Sequence, residues 1–167
     1  MKNLFNFCLY LIIPLLIYYN VSNCTYINNK ADYMFSIYIP KINLSSKVYS
    51  HKCEKNNVNI NIYLANNYDL DKQNGSMVLA AHSGNSVISY FDDIDILRND
   101  DDIIVEDALN IYSYKVDSMF NINKTGIFNY QNKDRYIYLV TCSKKDKRKQ
   151  LVIGAKLEKI TKKSTFY

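Results

Sequence analysis

Residue types suited to a single chemistry stand at the ends of apolar runs in this chain. Cys142 closes Tyr136-Ile137-Tyr138-Leu139-Val140-Thr141-Cys142, a β-branched and aromatic stretch that reads as a buried strand delivering a thiol to its open end. His82, one of only two histidines, closes a similar run, Met77-Val78-Leu79-Ala80-Ala81-His82. Arg148 lies with Lys144, Lys145 and Lys147 in a basic loop between Cys142 and the apolar run Leu151-Val152-Ile153-Gly154-Ala155. A free thiol, with a reference pKa of about 8.5, is little ionised at neutral pH, and a neighbouring imidazolium or guanidinium favours the thiolate. A thiolate beside a proton donor is equipment for acyl transfer. An arginine adds a charged, forked donor for an oxyanion or a backbone carbonyl. Cys142, His82 and Arg148 are therefore the candidate catalytic residues. His51 lies in a polar stretch and reads as a solvated loop residue.

These residues need a sheet to bring them together. Phe35-Ser36-Ile37-Tyr38-Ile39, halted by Pro40, and residues 42–49 read as strands with partial alternation. Val58-Asn59-Ile60-Asn61-Ile62 alternates strictly and predicts a strand with one wet face. Asn74-Gly75 is a turn pair feeding the strand that ends at His82. Residues 92–97 have the spacing of a helical turn or two, capping one end of a barrel. Ile103-Ile104-Val105 and Asn110-Ile111-Tyr112-Ser113-Tyr114-Lys115-Val116 then predict a pair of strands. The run ending at Cys142 and the one starting at Leu151 form a hairpin around the basic loop. The connection over residues 121–134 carries no pattern. Many short strands and few helical patterns predict an all-β fold, a small closed β-barrel with one or two short helices.

The 167 residues leave room for one domain with a real core once an apolar N-terminal segment is set aside. Lys2 followed by an apolar stretch over residues 4–19 predicts a signal anchor within residues 1–24, with no Ala-x-Ala cleavage site after it. Residues 25–34 read as a tether, 35–161 as the catalytic barrel and 162–167 as a basic tail. The expected topology is a single-pass membrane protein with its catalytic domain outside the cell. Lipidation at Cys24 is the alternative, although Asn23 suits a small-residue processing pocket poorly. The four cysteines, Cys8, Cys24, Cys53 and Cys142, show no zinc-binding spacing and no disulfide scaffold, leaving a Cys24–Cys53 bridge open. The formal charge of +5 comes with an Asn-, Ile-, Lys- and Tyr-rich background and no nucleic-acid recognition motif, so nucleic acid is not an expected partner. Asp92, Asp93, Asp95 and residues 100–102 match no calcium loop and read as a solvated acidic surface.

Several of these stretches also carry a resemblance. Ile39-Pro40-Lys41-Ile42 is similar to the entry strand of sortases, membrane-anchored cysteine transpeptidases. Leu79-Ala80-Ala81-His82 resembles their Leu-Ala-Gly-His signature, and Leu139-Val140-Thr141-Cys142 their Leu-Val-Thr-Cys signature. Tyr90-Phe91 with Ile94 and Leu97 resembles the Phe-Phe-x-x-Leu-x-x-Leu stretch, and Tyr112-Ser113-Tyr114-Lys115-Val116 the Tyr-x-Tyr-x-Val strand. The order and spacing match over residues 37–157. Ala81 replaces the usual Gly before the histidine, and Asp100 stands where a Gly is common. Aligned by its apolar run, the last strand puts Gln150 at the family's arginine position, with Arg148 two residues earlier on the same strand face.

The resemblance implies that Cys142 attacks the Thr-Gly bond of a Leu-Pro-x-Thr-Gly-like C-terminal sorting signal and forms a thioester that an amine resolves. His82 would exchange the proton and Arg148 would hold the substrate oxygen, with Gln150 and Thr141 as candidate substrate contacts. The implied partners are surface proteins bearing the signal, an amine acceptor such as a cell-wall precursor or a pilin, and the membrane. The chemistry needs no metal or organic cofactor. Two other readings compete with this one. One is a sortase-fold binding module without activity; the other is a lipid-anchored surface protein with an incidental Cys and His.

Overall fold

The computed structural model describes residues 33–70, 72, 75–125 and 128–164. The anchor expected over residues 1–24, most of the tether and Cys24 lie outside them. Among the described residues no helix is long and apolar enough to cross a membrane. Eight strands follow one another: β1 (Phe35–Ile39), β2 (Leu44–Val48), β3 (Tyr63–Leu64), β4 (Ser76–Ala80), β5 (Asp102–Glu106), β6 (Asn110–Asn123), β7 (Tyr136–Cys142) and β8 (Lys149–Lys162). They form one sheet in the order β2-β1-β5-β6-β8-β7-β4-β3. Its two ends approach each other through an isolated bridge between Val48 and Ile62, so the barrel is nearly closed rather than closed.

Every pairing between the named strands is antiparallel except β4 with β7, which run in the same direction. Parallel neighbours need a long crossover. Here it consists of the turns after β4, then β5 and β6, and it leaves the C-terminal ends of β4 and β7 side by side. Alternation along the strands sorts the apolar residues onto two faces. Phe35, Ile37, Met77, Leu79, Tyr114, Leu139 and Ile153 fill the barrel interior, where Phe91 and Ile94 cap them. Val78, Tyr136, Tyr138, Val140 and Val152 point outward and are nonetheless buried.

The cover on that outer face comes from the stretch with no sequence pattern. β6 runs on to Asn123, well past the strand expected to end near Val116, and the chain then folds back over the sheet. Phe128 packs on Tyr130 and edge-on against Tyr138, with ring centroids 5.3 and 5.5 Å apart. The far end of the connection is pinned at the start of β4. There Gly75 N–H donates to Asp134 Oδ1 at 2.7 Å, Ser76 N–H to Asn132 Oδ1 at 2.9 Å, and Ser76 Oγ to the Lys133 carbonyl at 2.9 Å.

One predicted strand is corrected. Residues 58–60 form a turn and only Tyr63–Leu64 pairs with β4. The Asn57 side chain accepts the Asn59 N–H at 2.9 Å and its carbonyl accepts those of Ile60 and Asn61, leaving Ile60 48% exposed. Asparagine's bonding to nearby backbone competes with a strand and here overrides the alternation. The expected helical segment is a single 3-10 turn, Ile94–Ile96, and a second 3-10 turn at Pro40–Ile42 links β1 to β2. Asp100 takes a left-handed φ of 69°, the conformation for which glycine is usual and which Asp tolerates. Ala81 is not among the residues with positive φ, so its exchange for glycine carries no backbone strain. Cys53 is disulfide-bonded. The Cys24 pairing weighed from sequence falls outside the described residues.

Gly154, on β8 between β6 and β7, is required by packing rather than by φ. A Cβ there would press on Ser118 Oγ and the Tyr136 hydroxyl, which are hydrogen-bonded to each other at 3.0 Å. Tyr136 also donates to the Asp117 carboxylate, and burial followed by that hydrogen bond raises its pKa. Gly154→Ala is therefore expected to destabilise the barrel by about 1–3 kcal/mol, as overpacking does. Adding Tyr136→Phe, which removes the crowded oxygen, should return part of the loss; chemical denaturation of both variants reads the difference.

Candidate active site

The site is built by the register of the one parallel pair. Met77 sits opposite Ile137, Leu79 opposite Leu139 and Ala80 opposite Val140, where the ladder ends, and His82 and Cys142 each lie two residues further along. Hydrogen bonds continue the pairing beyond the strand end. Ala81 N–H donates to the Val140 carbonyl at 3.2 Å, Thr141 Oγ1 to the Ala81 carbonyl at 2.8 Å, and Ser83 Oγ to the Cys142 carbonyl at 2.8 Å. Thr141 is buried and lies on the interior face, so its hydroxyl ties the Cys strand to the His strand and does not reach the surface that Cys142 shares. A buried bond of this kind contributes about 1 kcal/mol and fixes position as well.

Cys142 is a partly exposed free cysteine, and its sulfur accepts a hydrogen bond from Lys124 Nζ at 3.4 Å. The His82 imidazole is also partly exposed, with Nε2 3.2 Å from Asn59 Oδ1. Among the described residues no hydrogen bond joins His82 to Cys142, and such bonds are often loose before substrate arrives. Asn59 accepts from Nε2, which orients the ring and leaves Nδ1 available. Gln150 lies directly opposite Cys142 on β8 and is partly buried. Arg148, two residues before it, is not gathered to the sulfur. Its guanidinium pairs with Asp146 at 3.2 and 3.3 Å, and its side chain is 90% exposed. Hydrogen bonding to Arg148 holds the Asp146 carboxyl below its ordinary pKa.

The expected acidic surface is paired. Lys144, in the loop after Cys142, reaches Asp92 at 3.1 Å, Asp93 at 3.4 Å and Asp95 at 3.9 Å. Asp92 also accepts the Gly84 N–H at 2.8 Å. Burial works to raise the Asp92 pKa, but the Gly84 hydrogen bond and Lys144 outweigh it and hold the group below its usual value. The loop after the cysteine and the loop after the histidine are thus joined by an ion cluster. Asp101 pairs with Lys41, and Asp102 with Lys115.

Two residues at the site were not singled out from sequence. Asn59 was placed in a strand because Val58, Ile60 and Ile62 alternate; the signal against that reading was the density of asparagines, Asn56, Asn57, Asn59 and Asn61. Lys124 lies in the unpatterned connection, where nothing local marks one lysine among many. Only the length of β6 brings it to the sulfur.

A family model described as Sortase domain matches residues 37–158. No curated protein matches the sequence significantly. Among solved structures, the chain is similar to Listeria monocytogenes sortase A, with a TM-score of 0.67 and 24% identity, over 80% of this chain and 92% of that one. It is also similar to Clostridium perfringens sortase D5, described as a transpeptidase (TM-score 0.64, 21% identity, 82% and 86% covered). Sortase E1 of Streptomyces coelicolor, solved with a tripeptide in its active site, gives a TM-score of 0.63 and 20% identity, covering 77% and 90%.

The Thr141 tie can be tested apart from the chemistry. Thr141→Val keeps the shape and removes the hydroxyl, and should cost about 1–2 kcal/mol of stability. With the strand ends no longer held, reactivity at Cys142 should fall severalfold in a protein that remains folded. Unfolding curves read beside thiol labelling separate the two effects.

Proposed function

The chain belongs to the sortase family, whose members are in general cysteine transpeptidases, and on that premise we propose that this protein cleaves a C-terminal sorting signal and joins the surface protein to an amine. The observation that supports the reading is the in-register parallel pairing of β4 with β7, which ends at Ala80 and Val140, two residues before His82 and Cys142 on their respective strands. In the first half-reaction the Cys142 thiolate attacks the carbonyl carbon of the Thr-Gly bond of a Leu-Pro-x-Thr-Gly-like signal. The C–N bond breaks, and the leaving amine takes a proton from His82. In the second half-reaction an acceptor amine, from a cell-wall precursor or a pilin, attacks the thioester. The C–S bond breaks, the thiolate returns, and His82 recovers the proton.

Arg148 is the candidate holder of the substrate oxygen. An exposed ion pair such as Arg148–Asp146 contributes little, so exchanging Asp146 for a substrate oxygen costs little as well. Gln150, opposite Cys142, is placed for a neutral hydrogen bond to the peptide. Thr141 acts through position. The resting Arg148–Asp146 pair also supports a second reading, a sortase-fold binding module whose arginine no longer serves catalysis.

The residues 1–24 segment would anchor the protein once through the membrane, with the barrel outside the cell. The disulfide at Cys53 fits an oxidising compartment.

Trapping the thioester with a sorting peptide tests the reading. Cys142→Ala should abolish it, His82→Ala should lose nearly all turnover, and the pH–rate profile should be bell-shaped. Arg148→Ala and Arg148→Lys should each lose roughly a hundredfold, since Lys lacks the planar fork. Gln150→Ala should lose far less. A near-normal rate in Arg148→Ala would remove the arginine from the mechanism, and no thioester on the unaltered protein would leave the binding module standing.

A further inference from the structure

We propose that Lys124 is a catalytic residue of this site: its ammonium holds the Cys142 sulfur in the thiolate form that attacks substrate, a task distinct from the one assigned to Arg148. The contact is direct, with Nζ 3.4 Å from Sγ. It is also a product of the sheet. On the β6–β8 pair Ile122 lies opposite Gln150 and Asn123 opposite Lys149. The Lys124 N–H donates to the Arg148 carbonyl at 2.8 Å, which fixes the lysine backbone one step further along. Residues two apart on a strand share a face, so Lys124 follows Ile122 onto the face that holds Gln150 and Cys142. The side chain then crosses the start of β8 to reach the sulfur.

Three of the other charged or titratable side chains near Cys142 have partners of their own. Lys144 is surrounded by Asp92, Asp93 and Asp95. Arg148 is held by Asp146, and His82 bonds to the neutral amide of Asn59. Lys145 follows in the same loop. Lys124 has no carboxylate partner among the described residues. It is the cation at the sulfur whose natural counter-charge is the thiolate itself. Once the thioester forms, the sulfur is neutral and this attraction vanishes, returning when the acceptor amine expels the thiolate. An ammonium has no lone pair, so in that state Lys124 does not itself capture the acyl group.

The role in turnover rests on the transpeptidase reading; the role in thiolate formation does not, and the experiment separates them. The full-length chain in detergent is labelled with iodoacetamide across neutral and alkaline pH, and the Cys142 peptide is followed by mass spectrometry. Iodoacetamide is uncharged, so its approach does not depend on the lysine's charge. Lys124→Met should slow Cys142 labelling at neutral pH by about fivefold and move the profile to higher pH, and Lys124→Arg should restore it. Arg148→Ala should leave labelling unchanged while it lowers transpeptidation. Lys124 is exposed, so the melting curve of Lys124→Met should match the unaltered protein. Equal labelling of Lys124→Met and the unaltered protein at every pH would overturn the proposal. So would a hydroxylamine-resistant peptide adduct on Lys124, which would make the lysine an acyl acceptor. Labelling that follows the expected pattern in a protein that forms no thioester would uphold the pairing and reject the transpeptidase.

Discussion

The parallel pairing of β4 with β7 is the constraint on which the rest of this molecule depends. Two strands running the same way present their C-terminal ends at one edge, and the in-register ladder from Ser76 and Tyr136 ends at Ala80 and Val140, with His82 and Cys142 each two residues beyond. An antiparallel pair would have put the two residues at opposite ends. A slip of one residue would have turned every side chain of one strand to the other face, sending Cys142 into the barrel interior. The alternation of apolar residues on both faces opposes that slip. Leu79 and Leu139 belong inside, and Val78, Tyr138 and Val140 belong under the connection that follows β6. The register is therefore held from two sides, and the Thr141–Ala81 hydrogen bond locks its last step.

Charge at the site follows a division of labour that composition conceals. A basic loop after Cys142 suggests a diffuse positive field, yet its cations are engaged differently. Lys144 joins two loops through an acidic cluster, and Arg148 folds back on Asp146. The cation at the sulfur comes from another element, the end of β6. In an exposed site, proximity decides which charge matters, because solvent and salt screen the more distant ones. Counting basic residues around a thiol in sequence thus overstates the role of its neighbours in the chain and misses the neighbour across the sheet.

Much of the fold was legible in sequence because its signals are local. The runs ending at Cys142 and His82, the hairpin around the basic loop and the Pro40 stop all depend on residues within a strand's length. Asp100 stands where a Gly is common, and it takes the left-handed φ that Asp tolerates. What failed did so for a physical reason. Residues 58–62 have the alternation of a strand, but asparagine side chains satisfy nearby backbone groups and draw the chain into a turn. That turn then carries Asn59 to His82, so the error in local structure and the missed site residue have one cause. Cys142 and His82 stand out in the sequence because they end apolar runs. Arg148 was assigned by distance along a strand, and no sequence rule reports that Asp146, two residues away, competes for it.

The connection over residues 124–134 unites these threads. Its aromatic residues exclude water from the outer face of β4, β7 and β8, its end at Asn132 and Asp134 fastens the start of β4, and its first residue, Lys124, reaches the sulfur. The segment covers the outer face of the sheet on which Cys142 stands. Displacing Phe128 and Tyr130 would expose Tyr138 and Val140, and the lysine begins the same segment. The near end of this segment is held by the Lys124 bond to Arg148, and its far end at Gly75 and Ser76.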